Sequence, residues 1–331
     1  MISPVIVIPL GVIVFLFATV VAMMPDGSSA QSEGSGVASA LPVSDVWLPA
    51  DAGLTSGLVT VQTSPTDATN GIVMTPGGLV ATSYGLASRA THLTVTVDGG
   101  QAMPATIAGF DAAKDVAVLR VPGFNPSGVA RMGTAVSTGD TLTLLDDRGD
   151  GLQPLGLDVH VWKTDQYCVR MGAETISGGF WFNTVDPIAE SGAAVVRDDG
   201  TVVGMFYGGD KGATRCAVPI ASVQRVIMAV ETGKSAGTVH VGPAGSLGIG
   251  AFNAGDYPVV ANLDPTGPAY KAGIRDGDEL TRIGTTSLHS LGLADLSPAS
   301  VVAMLTPGTK VTLEWQHAGG AVKSATVTVA G

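Results

Sequence analysis

A succession of short apolar segments separated by glycine constrains the fold of this chain more than any other feature. In several segments apolar and polar residues alternate, as around Leu93, Val95 and Val97, which is the pattern of a strand with one buried face. A second set of such segments lies between residues 141 and 219, and no long helical pattern separates the two sets. Two successive sets of closely spaced strands predict two β-barrels. The segments of the first set lie at 57–62, 71–74, 79–82, 92–97 and 115–121.

Helical patterns are confined to the later part of the chain. Residues 220–232 place their valines and an isoleucine on one face of a predicted helix. A joint rich in glycine, serine and alanine follows at 233–245 and is predicted to be a linker. Region 246–331 combines strand patterns with a short helix, for which Ser297 is a suitable N-cap and Pro298 a suitable first residue. This region is predicted to be a small α+β domain.

The N-terminus carries a long apolar run, because residues 2–24 contain no charged side chain. About 20 helical residues cross a bilayer core, so residues 1–25 are predicted to be a single-pass transmembrane anchor. The alternative is a cleaved signal peptide, with Ser28 and Ala30 as the small residues before the cut. Residues 26–54 are rich in serine, glycine, alanine and proline and are predicted to be a flexible linker. We expect the folded part to lie outside the cytoplasm, on the surface of the cell membrane.

Charge and cysteine content exclude several classes of function. The net charge of −11 argues against a surface that binds nucleic acid. Neither a P-loop nor an HExxH helix is present, and two cysteines are too few for a cysteine-rich zinc site, so no cofactor and no metal are predicted. Outside the cytoplasm Cys168 and Cys216 are predicted to form a disulfide, and two buried free thiols are the alternative.

Four motifs occur in a fixed order along the chain. They are GLVATSYGL at 78–86, KDVAVLRV at 114–121, AESGAAVV at 189–196 followed by DGTVVG at 199–204, and CAVPIASVQRV at 216–226. In this order and at these separations they resemble the HtrA (Deg) family of trypsin-like serine proteases that carry a PDZ domain. The resemblance implies a trypsin-like double β-barrel over 55–232 and a PDZ domain over 246–331. It also implies that Ser191 matches the nucleophile and Asp115 the carboxylate that orients the base.

The residue that should act as the base is missing from the first motif. Alignment of the motif with the family pattern puts Gly85 where the family has its catalytic histidine. A shift by one residue puts Tyr84 there, and an unperturbed tyrosine, with a pKa of about 10, accepts a proton poorly at neutral pH. His92 is the nearest histidine in the sequence, but it falls in a predicted strand. The other histidines are His160, His240, His289 and His317.

The oxyanion hole also departs from the family pattern. By the resemblance its two backbone N–H donors come from Ala189 and Ser191, and Ala189 replaces a glycine. A Cβ atom at that position restricts the backbone conformations available. Donors of this kind contribute about 3–4 kcal/mol each to stabilising a transition state, so a displaced donor weakens catalysis. The two departures together predict a pseudoprotease.

The C-terminal region resembles a bacterial PDZ domain. The matching motifs are SLGIG at 246–250, ANLDPTGPAYKAGIRDGDELTRIG at 261–284 and LTPGTKVTL at 305–313. A PDZ domain binds an extended peptide by adding it to a sheet edge. By the resemblance, Leu247, Gly248 and Ile249 form the loop that binds the terminal carboxylate. Val301, Val302 and Leu305 line the groove, and for these three ordinary core packing is the alternative.

Three functions remain from the sequence. The first is a membrane-anchored, HtrA-like pseudoprotease that binds protein C-termini or unfolded segments outside the cytoplasm. The second is an active serine endopeptidase of envelope protein quality control that uses Ser191. The third is a PDZ scaffold for the assembly of envelope proteins, with a homo-oligomer as a further expectation. Gly85 ranks the first above the second, because a hydroxyl without a base is a weak nucleophile.

Overall fold

The structure, a computed structural model, describes residues 48–90, 93–97, 99–147, 153–168, 175–183, 190–209, 214–253, 255–289, 297–317 and 319–331. The predicted anchor at 1–25 lies outside these residues, as does the predicted linker up to residue 47. Within the described ranges no helix has both the length and the apolar composition needed to cross a bilayer.

The elements are numbered in chain order and fall into three groups. The first group is β1 (Leu48–Pro49), β2 (Leu58–Gln62), β3 (Ala68–Val73), β4 (Leu79–Ser83), α1 (Tyr84–Ala87), β5 (Thr94–Thr96), β6 (Met103–Pro104), β7 (Thr106–Asp111) and β8 (Val116–Arg120). The second is β9 (Arg131–Met132), β10 (Thr141–Asp146), β11 (Leu155–Cys168), β12 (Ile176–Asn183), β13 (Ala194–Val196), β14 (Thr201–Gly209), β15 (Thr214–Pro219) and α2 (Ile220–Thr232). The third is β16 (Val239–Val241), β17 (Ile249–Asn253), β18 (Val259–Leu263), α3 (Pro268–Lys271), β19 (Asp278–Ile283), β20 (Thr286–Ser287), α4 (Pro298–Ala303), β21 (Lys310–His317) and β22 (Lys323–Thr328).

The strands form three sheets. The first has the order β16-β7-β8-β4-β3-β2-β5-β6. The second has the order β1-β11-β10-β13-β14-β15-β12, and it closes on itself because β11 also pairs with β12. The third, with the order β17-β18-β19-β21-β22, belongs to the C-terminal domain. The described residues are mainly β, with two successive sheets followed by a smaller domain of strands and short helices, as the sequence predicted.

Two short strands lie inside segments that the sequence predicted to be linkers. β1 falls within 26–54 and pairs with β11, while β16 falls within 233–245 and pairs antiparallel with β7. Both predictions are corrected here, because these segments supply edge strands to the two barrels. Each strand has only two or three residues, and so short a run gives no alternating pattern to distinguish it from a linker.

The two barrel sheets share one apolar layer. In β8, Val116 and Val118 pack into this layer, whereas Ala117 and Leu119 pack inside the first sheet. In the second sheet Ala194 packs into the same shared layer. Helix α2 covers one side of it with Val223, Val226 and Ile227, and its bounds agree with the helix predicted at 220–232. Strands buried on both faces explain why the motifs around them read as nearly continuous apolar runs.

The two cysteines are joined in a disulfide between the end of β11 and β15. The Cα atoms of Cys168 and Cys216 lie 5.7 Å apart, and 48 positions separate them in the sequence. Closing a loop of this length constrains the unfolded chain by about 4 kcal/mol in the chain-entropy account. Gly179 of β12 lies against the bridge: a Cβ atom there would collide with Cys168 Sγ and lie 2.9 Å from Cys216 Sγ.

We therefore expect Gly179→Ala to destabilise the protein. The added methyl group would have to displace the disulfide or the carbonyl of Ala217, and overpacking of this kind costs about 1–3 kcal/mol. Chemical denaturation of the two proteins measures the loss. Gly77→Ala is the matched control, because the nearest atom to a Cβ there is Thr75 Oγ1 at 3.8 Å. Equal stability of the two variants would contradict the expected collision.

Candidate functional site

Asp115 lies between a short 3₁₀ turn, Ala112–Lys114, and β8. Its backbone is left-handed, with φ at 53°, a conformation that aspartate adopts more readily than most residues. The residue is only 6% exposed. Its carboxylate accepts hydrogen bonds from Ser83 Oγ (2.8 Å) and from the backbone N–H of Gly85 (2.6 Å). The carboxylate is thereby fixed to the beginning of α1.

Helix α1 is a single turn, and its first two residues are the ones that the sequence placed at the position of the base. The backbone N–H of Tyr84 donates to the carbonyl of Asp115 (3.1 Å). The Tyr84 ring stacks on Phe110, with the ring centroids 4.5 Å apart and the planes 19° apart. Tyr84 is therefore packed against the core of the first sheet, and Gly85 meets Asp115 through its backbone.

Ser191 lies in the loop before β13 and is buried. Its Oγ donates a hydrogen bond to the carbonyl of Tyr207 in β14 (2.8 Å), and its own carbonyl accepts a hydrogen bond from Thr69 Oγ1. The next residue, Gly192, has a φ of +93°, and a Cβ atom there would collide with the carbonyl of Asn70. A glycine is thus required where this loop crosses the first sheet closely.

A buried polar network next to Ser191 joins the two sheets. Asn70 Nδ2 donates to Asp146 Oδ1 (2.6 Å), and Asn70 Oδ1 accepts the backbone N–H of Asp147 (2.7 Å). The carbonyl of Asn70 accepts Thr82 Oγ1 (2.7 Å). None of these residues stood out in the sequence as a candidate for the site. The signal in the sequence was Asn70 itself, next to the apolar residues of β3: a buried amide needs hydrogen-bond partners, so it indicates a polar network.

A cavity lies beside two of the predicted catalytic positions, Gly85 and Asp115. This cavity, of about 190 Å³, is lined by Gly85 and Asp115 from the first sheet and by Tyr207, the acceptor of the Ser191 hydroxyl. Gly250 and Ser300 of the C-terminal domain line the same cavity. Gly85 and Asp115 thus share the cavity, whereas Ser191 is connected to its wall through the hydrogen bond to the carbonyl of Tyr207. Ala189, the other predicted oxyanion-hole residue, lies outside the described residues.

Four histidines are described, and each has a polar or aromatic neighbour. His160 Nδ1 lies 2.9 Å from Thr141 Oγ1, and His317 Nδ1 lies 3.0 Å from Asp278 Oδ1. The ring of His240 packs on Phe110, and the ring of His289 meets Tyr257 edge-on. None of the four lines the cavity in the described part of the chain. His92 lies outside the described residues.

The predicted peptide-binding residues fall into two groups. Leu247, Val301 and Val302 are buried in the core of the C-terminal domain, as the core-packing alternative for the two valines requires. Ile249 and Leu305 are partly buried against the same core. Strand β17, which contains Ile249, lies at the edge of its sheet, and α4 packs beside it. The predicted N-cap of α4 is in place, because Ser297 Oγ accepts the backbone N–H of Ser300 (3.0 Å).

Gly248 lies in the loop predicted to bind a carboxylate, Leu247 to Ile249, and packs against the turn after β18. Gly248 has a φ of +74°, and a Cβ atom there would lie 2.8 Å from the Cα atom of Gly267. Its N–H is bonded to Ser246 Oγ (3.1 Å), and its carbonyl accepts the N–H of Asp264 (2.8 Å). The close approach of two backbone segments fixes the shape of this loop and requires glycine.

Two domain families match the chain. The trypsin-like peptidase domain matches residues 69–205, and the PDZ domain matches residues 245–329. The chain therefore contains a trypsin-like peptidase domain followed by a PDZ domain. The predicted resemblance to HtrA-type proteases with a PDZ domain is confirmed by the identity and order of these two domains.

Solved structures similar to this chain include the serine endoprotease from Yersinia pestis, with 20% identity and a TM-score of 0.45 over 84% of this chain and 94% of that chain. They also include the HtrA-type protease AlgW with a tripeptide, with 20% identity and a TM-score of 0.46 over 83% of this chain and 94% of that chain. AlgW with a decapeptide has 18% identity and a TM-score of 0.46 over the same shares. None of the curated proteins compared with the chain matches it in sequence.

Asp111 begins the 3₁₀ turn that leads to Asp115. Burial raises the pKa of its carboxyl group, and the hydrogen bond from Thr238 Oγ1 (3.0 Å) and the charge of Arg225 offset only part of this effect. The Arg225 guanidinium lies 3.6 Å from Asp111 Oδ2 and is itself half exposed. The folded protein therefore favours the neutral carboxyl more than the unfolded chain does.

This shift predicts the pH dependence of an Asp111→Asn variant. Because the pKa is raised in the folded state, the contribution of Asp111 to stability is largest below its unfolded pKa and is lost as the pH rises through its folded pKa. The variant lacks this loss, so its melting temperature relative to the wild type should increase from pH 4 to neutral pH. Thermal unfolding across this range measures the difference. Asp158→Asn at an exposed position is the control, and a parallel pH trend in both variants would contradict the assignment.

Proposed function

We propose that the protein is a membrane-anchored, HtrA-like pseudoprotease that binds the C-termini or unfolded segments of proteins outside the cytoplasm. One observation carries the proposal: residue 85 meets the Asp115 carboxylate through its backbone N–H, and as a glycine it has no side chain to serve as a base. Serine hydrolysis needs a group that takes the hydroxyl proton as the bond to the carbonyl carbon forms. The chain supplies no such group at the position where the family has one.

The surroundings of Ser191 support the same proposal. Its hydroxyl donates to a backbone carbonyl, which accepts a hydrogen bond but does not remove a proton at neutral pH. None of the four described histidines lines the cavity beside Asp115. Burial also lowers the pKa of His240, the described histidine whose neighbour Phe110 in turn stacks on Tyr84.

Peptide binding is supported by the C-terminal domain. Strand β17 is an edge strand, and an extended peptide can pair with it through main-chain hydrogen bonds. Helix α4 contacts the same strand, so a peptide paired with β17 would have this helix beside it. The presence of a PDZ domain supports recognition of polypeptide ends, because such a domain binds a C-terminus whether or not a neighbouring domain hydrolyses peptides.

The location outside the cytoplasm rests on the sequence and on the disulfide. Residues 2–24 have the length and apolar character of a bilayer-spanning segment. A bond between Cys168 and Cys216 is the state expected in an oxidising compartment. An anchored domain there would meet exported proteins before or after they fold.

An active endopeptidase is the second candidate, and the surroundings of Asp115 favour it. Two hydrogen bonds from the start of α1 hold the carboxylate in place, and a carboxylate fixed in this way can orient a base that donates to it. A cavity of about 190 Å³ beside it leaves room for one. An imidazole from outside this motif would then have to complete the site.

We expect purified protein to react slowly with a fluorophosphonate probe and Gly85→His to react faster. A histidine at this position would gain Asp115 as its orienting partner, and a general base contributes about 10²–10⁴-fold to rate. We expect at least a tenfold rise, which allows for the altered oxyanion hole. The rate of labelling, followed by gel fluorescence, is the measurement.

Two variants make this experiment decisive. Gly85→Ala adds a Cβ atom without a base and should leave labelling at the wild-type rate. Gly85→His combined with Ser191→Ala should abolish labelling, since the attacking oxygen is removed. Rapid labelling of the wild type that disappears in Ser191→Ala would establish the endopeptidase instead.

We also expect the protein to bind peptides that end in an apolar residue with a free carboxylate. Amidation of the same peptides should weaken binding by tenfold or more, because the loop around Gly248 would lose its charged ligand. Fluorescence polarisation of labelled peptides gives both dissociation constants. An amidated peptide that binds as tightly as the free acid would contradict C-terminal recognition and favour binding of internal unfolded segments.

A further inference from the structure

The hairpin of β11 and β12 carries an exposed aromatic patch, which we define as Trp162, Lys163, Tyr167 and Trp181. Trp162 is 37% exposed and Tyr167 is 59% exposed, which places both among the most exposed large apolar side chains of the described residues. The two tryptophan rings lie 5.3 Å apart. Lys163 Nζ lies 5.1 Å from the centroid of one ring and 5.5 Å from that of the other. The two tryptophan rings and the ammonium group form one cluster, and Tyr167 is joined to it through the hydrogen bond of its carbonyl with Trp181.

The backbone holds this patch rigidly. Pairing of β11 with β12 shifts register three times between Val161 and Cys168, and Asp165 within this stretch has a φ of 56°. Such bulges bend a strand and change the direction of its side chains. The Trp181 indole N–H donates to the carbonyl of Tyr167 (2.9 Å), and the Cys168–Cys216 disulfide fixes the end of β11. The exposed rings are therefore set on a braced hairpin.

We propose that the aromatic patch rests in the headgroup layer of the lipid bilayer that holds the N-terminal anchor. The inference depends on the membrane anchoring in the proposed function. Tryptophan and tyrosine concentrate at membrane interfaces, because their rings are apolar and their N–H or O–H groups stay hydrated. Lysine beside them extends its ammonium group to the headgroups while its methylene stem stays apolar.

The path of the chain supports the lipid bilayer as the partner of this patch. Residues 25–47 separate the apolar N-terminal run from β1, and β1 pairs with β11 at Leu48 and Gly156. Six positions along β11 separate Gly156 from Trp162, or about 20 Å at 3.3 Å per residue. The chain outside the described residues therefore ends at β1, and β1 pairs with the strand that carries Trp162, Lys163 and Tyr167.

Because the protein is tethered to the membrane, a small patch is sufficient to keep the hairpin in contact with the bilayer. A surface linked to the membrane by a short segment meets it at an effective concentration of roughly millimolar order, so weak partitioning gives high occupancy. A free peripheral protein would need a larger surface or a basic cluster.

The charges of the hairpin determine which lipid is needed. The positive charge of Lys163 is accompanied by the negative charge of Asp165 on the same strand, and the whole chain carries a net charge of −11. Attraction to anionic lipid is therefore weak, and aromatic partitioning supplies the contact. We expect binding to zwitterionic phosphatidylcholine that changes little from low to high salt.

Tryptophan quenching by brominated phosphatidylcholine tests the proposal on the full chain in vesicles. Trp47 is first replaced by phenylalanine, because it precedes β1 directly in the sequence and would contribute its own signal. In the Trp47→Phe protein we expect quenching at least twice that of the Trp47→Phe, Trp162→Phe protein. Trp315, only 3% exposed in the core of the PDZ domain, provides unquenched emission for reference.

A displaced tryptophan is the matched control. Val322→Trp in the Trp47→Phe, Trp162→Phe protein places an indole at a PDZ position that is 57% exposed, and it should add no quenching. If the indole at position 322 were quenched as strongly as Trp162, the proposal would be overturned, since tethering alone would then explain the contact of tryptophan with lipid. Vesicle flotation separates the two hypotheses. A chain that floats without quenching of Trp162 overturns the patch alone, whereas a chain that does not float overturns the anchor and the patch with it.

Discussion

The apolar layer shared by the two barrel sheets determines where every residue of the candidate site can lie. Strands β8 and β13 are buried on both faces, and each sends alternate side chains into that layer. Asp115 immediately precedes β8, and Ser191 lies three residues before β13. Since the layer excludes water on both sides, neither strand can slip by one residue without exposing its apolar set. The register of these strands therefore brings the two polar residues to the same end of the interface.

A site of this kind can keep its geometry after losing one catalytic side chain. Asp115 keeps acceptor bonds from Ser83 and from the Gly85 backbone, and these bonds do not depend on the side chain at position 85. Burying a carboxylate without such partners would be costly, so these bonds stabilise the buried Asp115 whether or not it takes part in catalysis. Retention of Asp115 and Ser191 is consequently weak evidence for activity, whereas the residue at position 85 bears directly on it.

The sequence predicted most reliably what depends on local chemistry or on long patterns. Helix α2 has the predicted bounds, and the cap of α4 at Ser297 forms with Pro298 in the first turn. The edge strands β1 and β16 escaped prediction because their pairing with distant strands, not their own pattern, makes them strands. The network of Asn70 with Asp146 and Asp147 escaped for the same reason, since its members lie more than 75 positions apart. Long-range polar pairing leaves no periodic trace in a single sequence.

The PDZ domain contributes to the candidate site as well as to peptide binding. Ala303 of α4 belongs to the apolar cluster of the first sheet, while Val301 and Val302 of the same helix belong to the PDZ core. Ser300 of α4 and Gly250 of β17 line the cavity beside Asp115. The helix and strand that form the predicted groove are thus the elements that close this cavity. Helix α4 is therefore held by the first sheet through Ala303 and by the PDZ core through Val301 and Val302, while its first turn forms part of the cavity wall.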